Sequence, residues 1–230
     1  MKKSVLILFA SFFLLSCFAQ KENKGILEDY FNKTVKDTVY EATDDFPAIE
    51  VGQWVLLRKY EGQKETPVLL KYSVVGKEGD NFWIEVKDLR KKKTIIVAFL
   101  IEGIEGNSLV NTTIIDGKYT QNGEAGIEGM WNMFAMYLYP LQSRKNAVKQ
   151  NANFTCVSGI YKNVWGHSGS FSRETSFEGP GISIDFKSSE SGTMFYHTAI
   201  PFGIVGWNAT NDKAEVIEFG FNGAISEIED

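Results

Sequence analysis

The chain has 230 residues, of which 43% are hydrophobic and 23% charged, so it carries the apolar material for a sizeable core and is not compositionally disordered. Two Cys and two His exclude a disulfide scaffold and leave little for a histidine-rich metal site. A net charge of -5 argues against nonspecific binding to nucleic acid, which needs Lys and Arg to neutralise phosphates.

The first residues carry an address. Lys2 and Lys3 precede an apolar run from Val5 to Leu15, interrupted only by Ser11. That run falls short of the ~20 residues that span a bilayer, so it reads as a signal-peptide core. Leu14-Leu15-Ser16-Cys17 follows directly and resembles a lipobox, the bacterial lipoprotein signal. The resemblance implies a signal peptide over 1–16, cleavage before Cys17, a diacylglycerol thioether on its sulfur and an acylated amino terminus. Phe18, rather than Asp, follows the Cys, which by the rule for such lipoproteins implies the outer membrane. The alternative is ordinary secretion, with cleavage after Ala19. Loss of Lys2 and Lys3 with the signal takes the charge from -5 to -7. With lipid on Cys17, Cys156 has no intrachain partner and reads as a small core residue on an alternating strand.

Residues 17–25 form a polar, lipidated tether, and 26–230 read as a single β-rich domain. Ile26, Leu27, Tyr30, Phe31, Val35 and Val39 recur at helical spacing and predict one amphipathic helix before Asp44-Asp45-Phe46-Pro47. From Val51 the period becomes two. Trp54 to Tyr60 predicts a strand with a turn at 61–64. Val68, Leu70, Tyr72 and Val74 share one face of the next strand, and Phe82, Ile84 and Val86 one face of a third. Thr94 to Ile101 is apolar almost throughout and predicts a strand covered on both faces; Leu109 to Ile115 continues the meander. Strands are also predicted at 153–161, 182–186, 193–198, 202–207 and 214–221, separated by Gly- and Ser-rich turns.

An insert at 127–141 differs in character. At α-helical spacing Ile127, Trp131, Phe134, Leu138 and Leu141 form one stripe, with Met130, Met133 and Tyr137 beside it. Pro140 ends or kinks such a helix at Tyr139. The apolar arc is too wide for an exposed surface helix. The main stripe is expected to anchor on a sheet, and Met130, Met133 and Tyr137 are the candidate ligand-binding residues, Met being flexible enough to repack around varied apolar partners. The alternative is a helix that only plugs a curved sheet.

Enzymatic motifs are absent: no Walker loop, dinucleotide fingerprint, HExxH or CxxC occurs. Gly166-His167-Ser168-Gly169 lacks the spacing of a hydrolase elbow and reads as a loop. His197 reads as a strand residue. No catalytic residue, metal ligand or cofactor is predicted. Arg90-Lys91-Lys92-Lys93 reads as a solvated hairpin turn that could brush anionic head groups.

Gly52-Gln53-Trp54 resembles the Gly-x-Trp motif of lipocalins. More broadly, the Trp-led strand, the hairpin through Tyr72 to Glu78, the apolar helix, Ile200 to Val205 and Phe219 to Ala224 are similar to bacterial lipoproteins with a curved sheet like that of LolA and LolB, the lipoprotein-carrying periplasmic proteins. The expected fold is mainly β (α+β): a strongly curved antiparallel sheet or half-barrel closed by one or two helices. The resemblance implies an envelope lipoprotein that binds or shields a lipid or acyl chain, with the membrane and other envelope proteins as candidate partners and without nucleic acid. The alternative is a protein-interaction lipoprotein with a fully packed core.

Overall fold

The computed structural model describes residues 23–62, 66–108, 111–179 and 182–228. The segment read as a signal peptide, and Cys17, lie outside the described residues. The first element, α1 (23–31), is shorter than its apolar spacing predicts. Leu27 is buried, but Val35 and Val39 are 52% and 46% exposed. Asn32, Thr34 and Val35 are poor helix formers, and the Lys36 N–H instead bonds to the Val157 carbonyl at 3.0 Å, drawing the chain into extended structure. Val39–Tyr40 becomes β1.

Period-two patterning builds the next strands: β2 (Trp54–Glu61), β3 (Thr66–Glu78), β4 (Asn81–Arg90), β5 (Lys93–Glu102), β6 (Thr113–Gln121) and the short β7 (Glu124–Ala125). Val68, Leu70, Tyr72, Val74, Phe82, Ile84 and Val86 all enter the main core, as the alternation predicts. β5 is buried on both faces from Ile95 to Ile101. After the insert come β8 (Val148–Lys149), β9 (Phe154–Cys156), β10 (Gly159–Tyr161), β11 (Trp165–Gly179), β12 (Ile182–Tyr196), β13 (Ile204–Ala209) and β14 (Asp212–Gly220). Three sequence expectations fail here: residues 153–161, read as one strand, form the antiparallel hairpin β9–β10. Residues 165–179 form a long strand instead of a Gly- and Ser-rich loop, paired residue for residue with β12. The two strands expected at 182–186 and 193–198 are one continuous strand.

Eleven strands form one antiparallel sheet in the order β7-β6-β5-β4-β3-β2-β14-β13-β12-β11-β8, which is not closed into a barrel. The chain enters at the centre, meanders to one edge through β7, and re-enters at the opposite edge through β8. It then meanders back to pair β14 with β2. The insert is therefore the one connection that must cross from edge to edge, and it touches β5 and β6 on one side and β11 on the other. A segment this short reaches both halves only because the sheet curves around it, as right-handed strand twist requires.

The outer face has its own cover. Leu27 of α1 packs with Leu56, Leu69, Leu89 and Ile217, joined by Tyr30 and Phe31 at the margin. A small sheet, β1-β10-β9, lies over β14, its Val157 N–H held by Glu215 at 3.1 Å. Near the chain end, the Glu227 backbone N–H and the Ser226 hydroxyl both donate to Glu85.

Gly52 shows why a glycine precedes Trp54. Its φ of 97° is in the region that L side chains avoid, and a Cβ there would lie 3.3 Å from Asn222 Cα.

Candidate functional site

The inner face of the sheet is apolar over most of its length. Val55, Leu57, Leu70, Val74, Ile84, Val86, Val97 and Phe99 present a continuous buried surface. Charges collect at one end. Lys59 pairs with Glu61 at 3.1 Å and Asp212 at 2.9 Å, and Arg90 pairs with Glu61 at 2.6 Å and Asp88 at 2.8 Å. Burial opposes the Lys59 charge, but Asp212 and Glu61 outweigh it and raise its pKa. Burial likewise opposes the Glu61 carboxylate, and Lys59 and Arg90 hold it below its ordinary range.

Residues Met130–Leu138 cover this face as a nine-residue 3-10 segment, not the α-helix expected from the spacing. Runs of that length are uncommon, because three residues per turn eclipse the side chains and strain the hydrogen bonds. The consequence is a change of partners. Trp131, Phe134 and Tyr137, spaced by three, fall on one edge, and the Phe134 and Tyr137 rings stack at 6.1 Å and 6°. Tyr137 thus leaves the stripe that α-helical spacing assigns to it with Met130 and Met133. Its hydroxyl donates to Asp88 Oδ2 at 2.5 Å, and Asp88 is fully buried. Burial and the Asp88 charge push the Tyr137 pKa up, so the phenol remains a donor.

Two further contacts seat the segment. Trp131 lies edge-on to Phe99 at 6.4 Å and over Gly117, where a Cβ would approach Trp131 Cδ2 to 2.6 Å. The Met130 sulfur accepts the Tyr119 hydroxyl at 2.9 Å. Ile127, expected on the anchoring stripe, is 43% exposed and outside the segment, because the chain turns at Gly129 with φ of 75°.

The cover is buried unevenly. Trp131, Met133, Phe134 and Tyr137 are half-buried. Beyond them α2 (Tyr139–Gln142) takes Pro140 in its first turn, where a missing N–H costs nothing, and Leu138 and Leu141 are 1% exposed. Ser143 Oγ bonds Tyr196 Oη at 2.6 Å, and the Tyr196 hydroxyl donates to the Pro140 carbonyl at 2.9 Å. Arg144 donates to the carbonyls of Phe202, at 2.8 Å, and Asn107, and stacks on Phe46 at 4.7 Å. Burial pushes its pKa down to about 10. The segment is thus buried at its C-terminal end and half-buried along 131, 133, 134 and 137.

No nucleophile and base come together among the groups singled out from the sequence. Cys156 is free, buried and 3.3 Å from Ser158 Oγ, and burial pushes its thiol pKa up. Cys156→Ser should cost roughly 1–3 kcal/mol in a denaturation midpoint without changing any binding activity. Ser158 is spent on Tyr161 Oη and the Val216 carbonyl. It also lines an outer cleft of about 250 Å³ with Lys36, Tyr40, Trp54, Ile217, Glu218 and Phe219. His167 lies on β11, and no group of His, Cys, Asp and Glu among the described residues is arranged to hold a metal ion.

His197 is fully buried; its Nδ1 accepts the Ala199 N–H at 3.0 Å, so Nε2 carries the proton and donates to the Lys162 carbonyl at 3.0 Å. Burial lowers its pKa. The unfolded chain therefore gains a proton below about pH 6.5 that the folded chain does not yet bind, and stability falls with pH from there down to the folded pKa. The unfolding free energy from urea titrations should decrease as pH falls below about 6.5, with a slope of at most about 1.4 kcal/mol per pH unit, and His197→Gln should flatten that slope.

Fold and site together define an open, curved antiparallel cup with an apolar inner face and an unevenly buried apolar cover. No family model matches the chain, and no curated protein or solved structure is significantly similar to it. No helix among the described residues is long and apolar enough to cross a membrane.

Proposed function

We propose that this is a lipid-anchored protein of the bacterial cell envelope, in the outer membrane, that binds or shields an apolar ligand such as a lipid or acyl chain beneath the 130–138 cover. It acts by binding, not by catalysis. One observation carries the reading: an apolar inner face is closed by a segment whose side chains are buried at Leu138, Pro140 and Leu141, while Trp131, Met133 and Phe134 remain half-buried. Such a cover can yield to an acyl chain at its half-buried end, where Met130, Met133 and Tyr137 would line the opening.

Saturable uptake of an apolar fluorescent probe tests this. Gly117→Val should displace Trp131 from its seat and raise probe uptake, since a β-branched residue suits the strand itself. Met133→Gln should weaken uptake with little effect on folding. Absence of saturable uptake in both the wild type and Gly117→Val would remove the carrier reading.

A second reading is favoured by the Tyr137–Asp88 hydrogen bond, which ties the cover to a buried carboxylate. A cup permanently plugged in this way would be a scaffold for protein contact. It predicts no probe uptake and destabilisation by both substitutions.

The anchor is tested separately. Cys17→Ala should leave the precursor unprocessed or move the protein out of the membrane fraction; unchanged partitioning with cleavage after Ala19 would refute lipidation.

A further inference from the structure

We infer that the β4–β5 turn, Lys91-Lys92-Lys93, is a docking surface for the anionic head groups of the membrane that holds the anchor. The inference rests on the lipid-anchor reading above and adds the orientation of the domain on the bilayer.

The position of α1 carries the argument. The Asn23 side-chain amide donates to the Arg90 carbonyl and to Thr94 Oγ1, each at 3.3 Å. The N-terminal end of the described chain is thereby fixed against this turn. Five residues lie between Cys17 and Asn23, and the six steps that join them reach at most about 22 Å fully extended. A lipid on Cys17 therefore brings the bilayer surface within that distance of Lys91–Lys93, and no other described hairpin turn is tied to the tether in this way.

The charges fit an anionic surface. Lys91 and Lys92 are exposed and Lys93 is half-buried, and none of the three makes an ion pair among the described residues. Glu61 and Asp88, the acids that pair with Arg90 beside this turn, are already committed, Glu61 also to Lys59. On the adjoining β6–β7 turn, Asn122 is uncharged and accepts the Thr94 N–H at 2.8 Å, leaving Glu124 as the acid of that turn. Lys24, on the first turn of α1, adds a further cation, shared with Glu28 at 3.4 Å. The mature chain would carry a charge of -7 and be repelled by an anionic membrane in most orientations. Three unpaired lysines beside the tether select the orientation in which that repulsion is reversed.

The test uses the full acylated protein in vesicles of phosphatidylcholine, with and without phosphatidylglycerol. Lysine labelling by an amine-reactive reagent is read residue by residue by mass spectrometry, with Lys145 as reference. On anionic vesicles Lys91–Lys93 should label roughly fivefold more slowly than on neutral ones, and high salt should abolish the difference. In a K91E/K92E variant, which changes the two exposed residues of the turn, the accompanying protection of Lys24 should also disappear. Equal labelling on the two vesicle types, or Lys24 protection that survives the double substitution, would overturn the proposal. The mass of the Cys17 peptide reports acylation independently, so failure of the anchor and failure of the docking surface are told apart.

Discussion

Asp88→Ala should destabilise the fold by about 3–5 kcal/mol. The carboxylate is fully buried and receives three donors: Tyr137 Oη at 2.5 Å, Arg90 Nε at 2.9 Å and Arg90 Nη2 at 2.8 Å. Its removal leaves the Arg90 guanidinium half-paired, on Glu61 alone, and strands the Tyr137 hydroxyl in an apolar setting. The cost arises from those unpaired groups more than from the lost attraction. Tyr137→Phe removes one donor while Arg90 stays in place, so about 1 kcal/mol is expected. Urea denaturation of the two variants provides the measurement. A loss below 1 kcal/mol for Asp88→Ala would mean that water reaches the cluster and that the Tyr137 bond does not hold the cover shut.

Phe99→Ala should cost about 3–5 kcal/mol, because a fully buried ring at the middle of β5 is replaced by a void that the sheet cannot close. The void would lie directly beneath Trp131, so the same variant should take up small aromatic probes more readily than the wild type. Phe134→Ala provides the contrast. That ring is half-buried, packed on Tyr119 at 5.1 Å, and its loss should cost only about 1–2 kcal/mol. Equal losses for Phe99→Ala and Phe134→Ala would place the cover inside the cooperative core and support the plug.

Legibility along the chain followed a physical rule. β3 and β4 were readable because Val68, Leu70, Tyr72 and Val74, and Phe82, Ile84 and Val86, recur at period two on the face that lines the main core, although Leu69, Ser73 and Glu85 are buried on the other face. β11 was not, because its Ser and Gly residues contribute little to any hydrophobic pattern. What holds it is the backbone ladder from Trp165↔Tyr196 to Gly179↔Ile182, and backbone hydrogen bonds leave no mark in composition. The N-terminal helix was over-read for the converse reason. Val35 and Val39 continue its apolar spacing, but Val39 pairs with Ile160 in a small sheet, a partner more than a hundred positions later, and Val35 is left exposed.

The insert separates the two levels most clearly. Its composition alone required that Trp131, Phe134, Leu138 and Leu141 avoid water, and that much the sequence determined by itself, together with the alternating strands and the Lys-rich turn. Which side chains would meet was decided only in three dimensions. The ~100° per residue of an α-helix and the ~120° of a 3-10 segment differ little over one turn, yet over two turns they move Tyr137 from one stripe to another. The choice between them goes with remote contacts: the seat for Trp131 at Gly117, the carboxylate of Asp88, and the Ser143–Tyr196 bond that fixes the far end. Those partners lie 14, 49 and 53 residues away in the chain, so local propensity carries no trace of them, and only the curvature of the sheet brings them within reach.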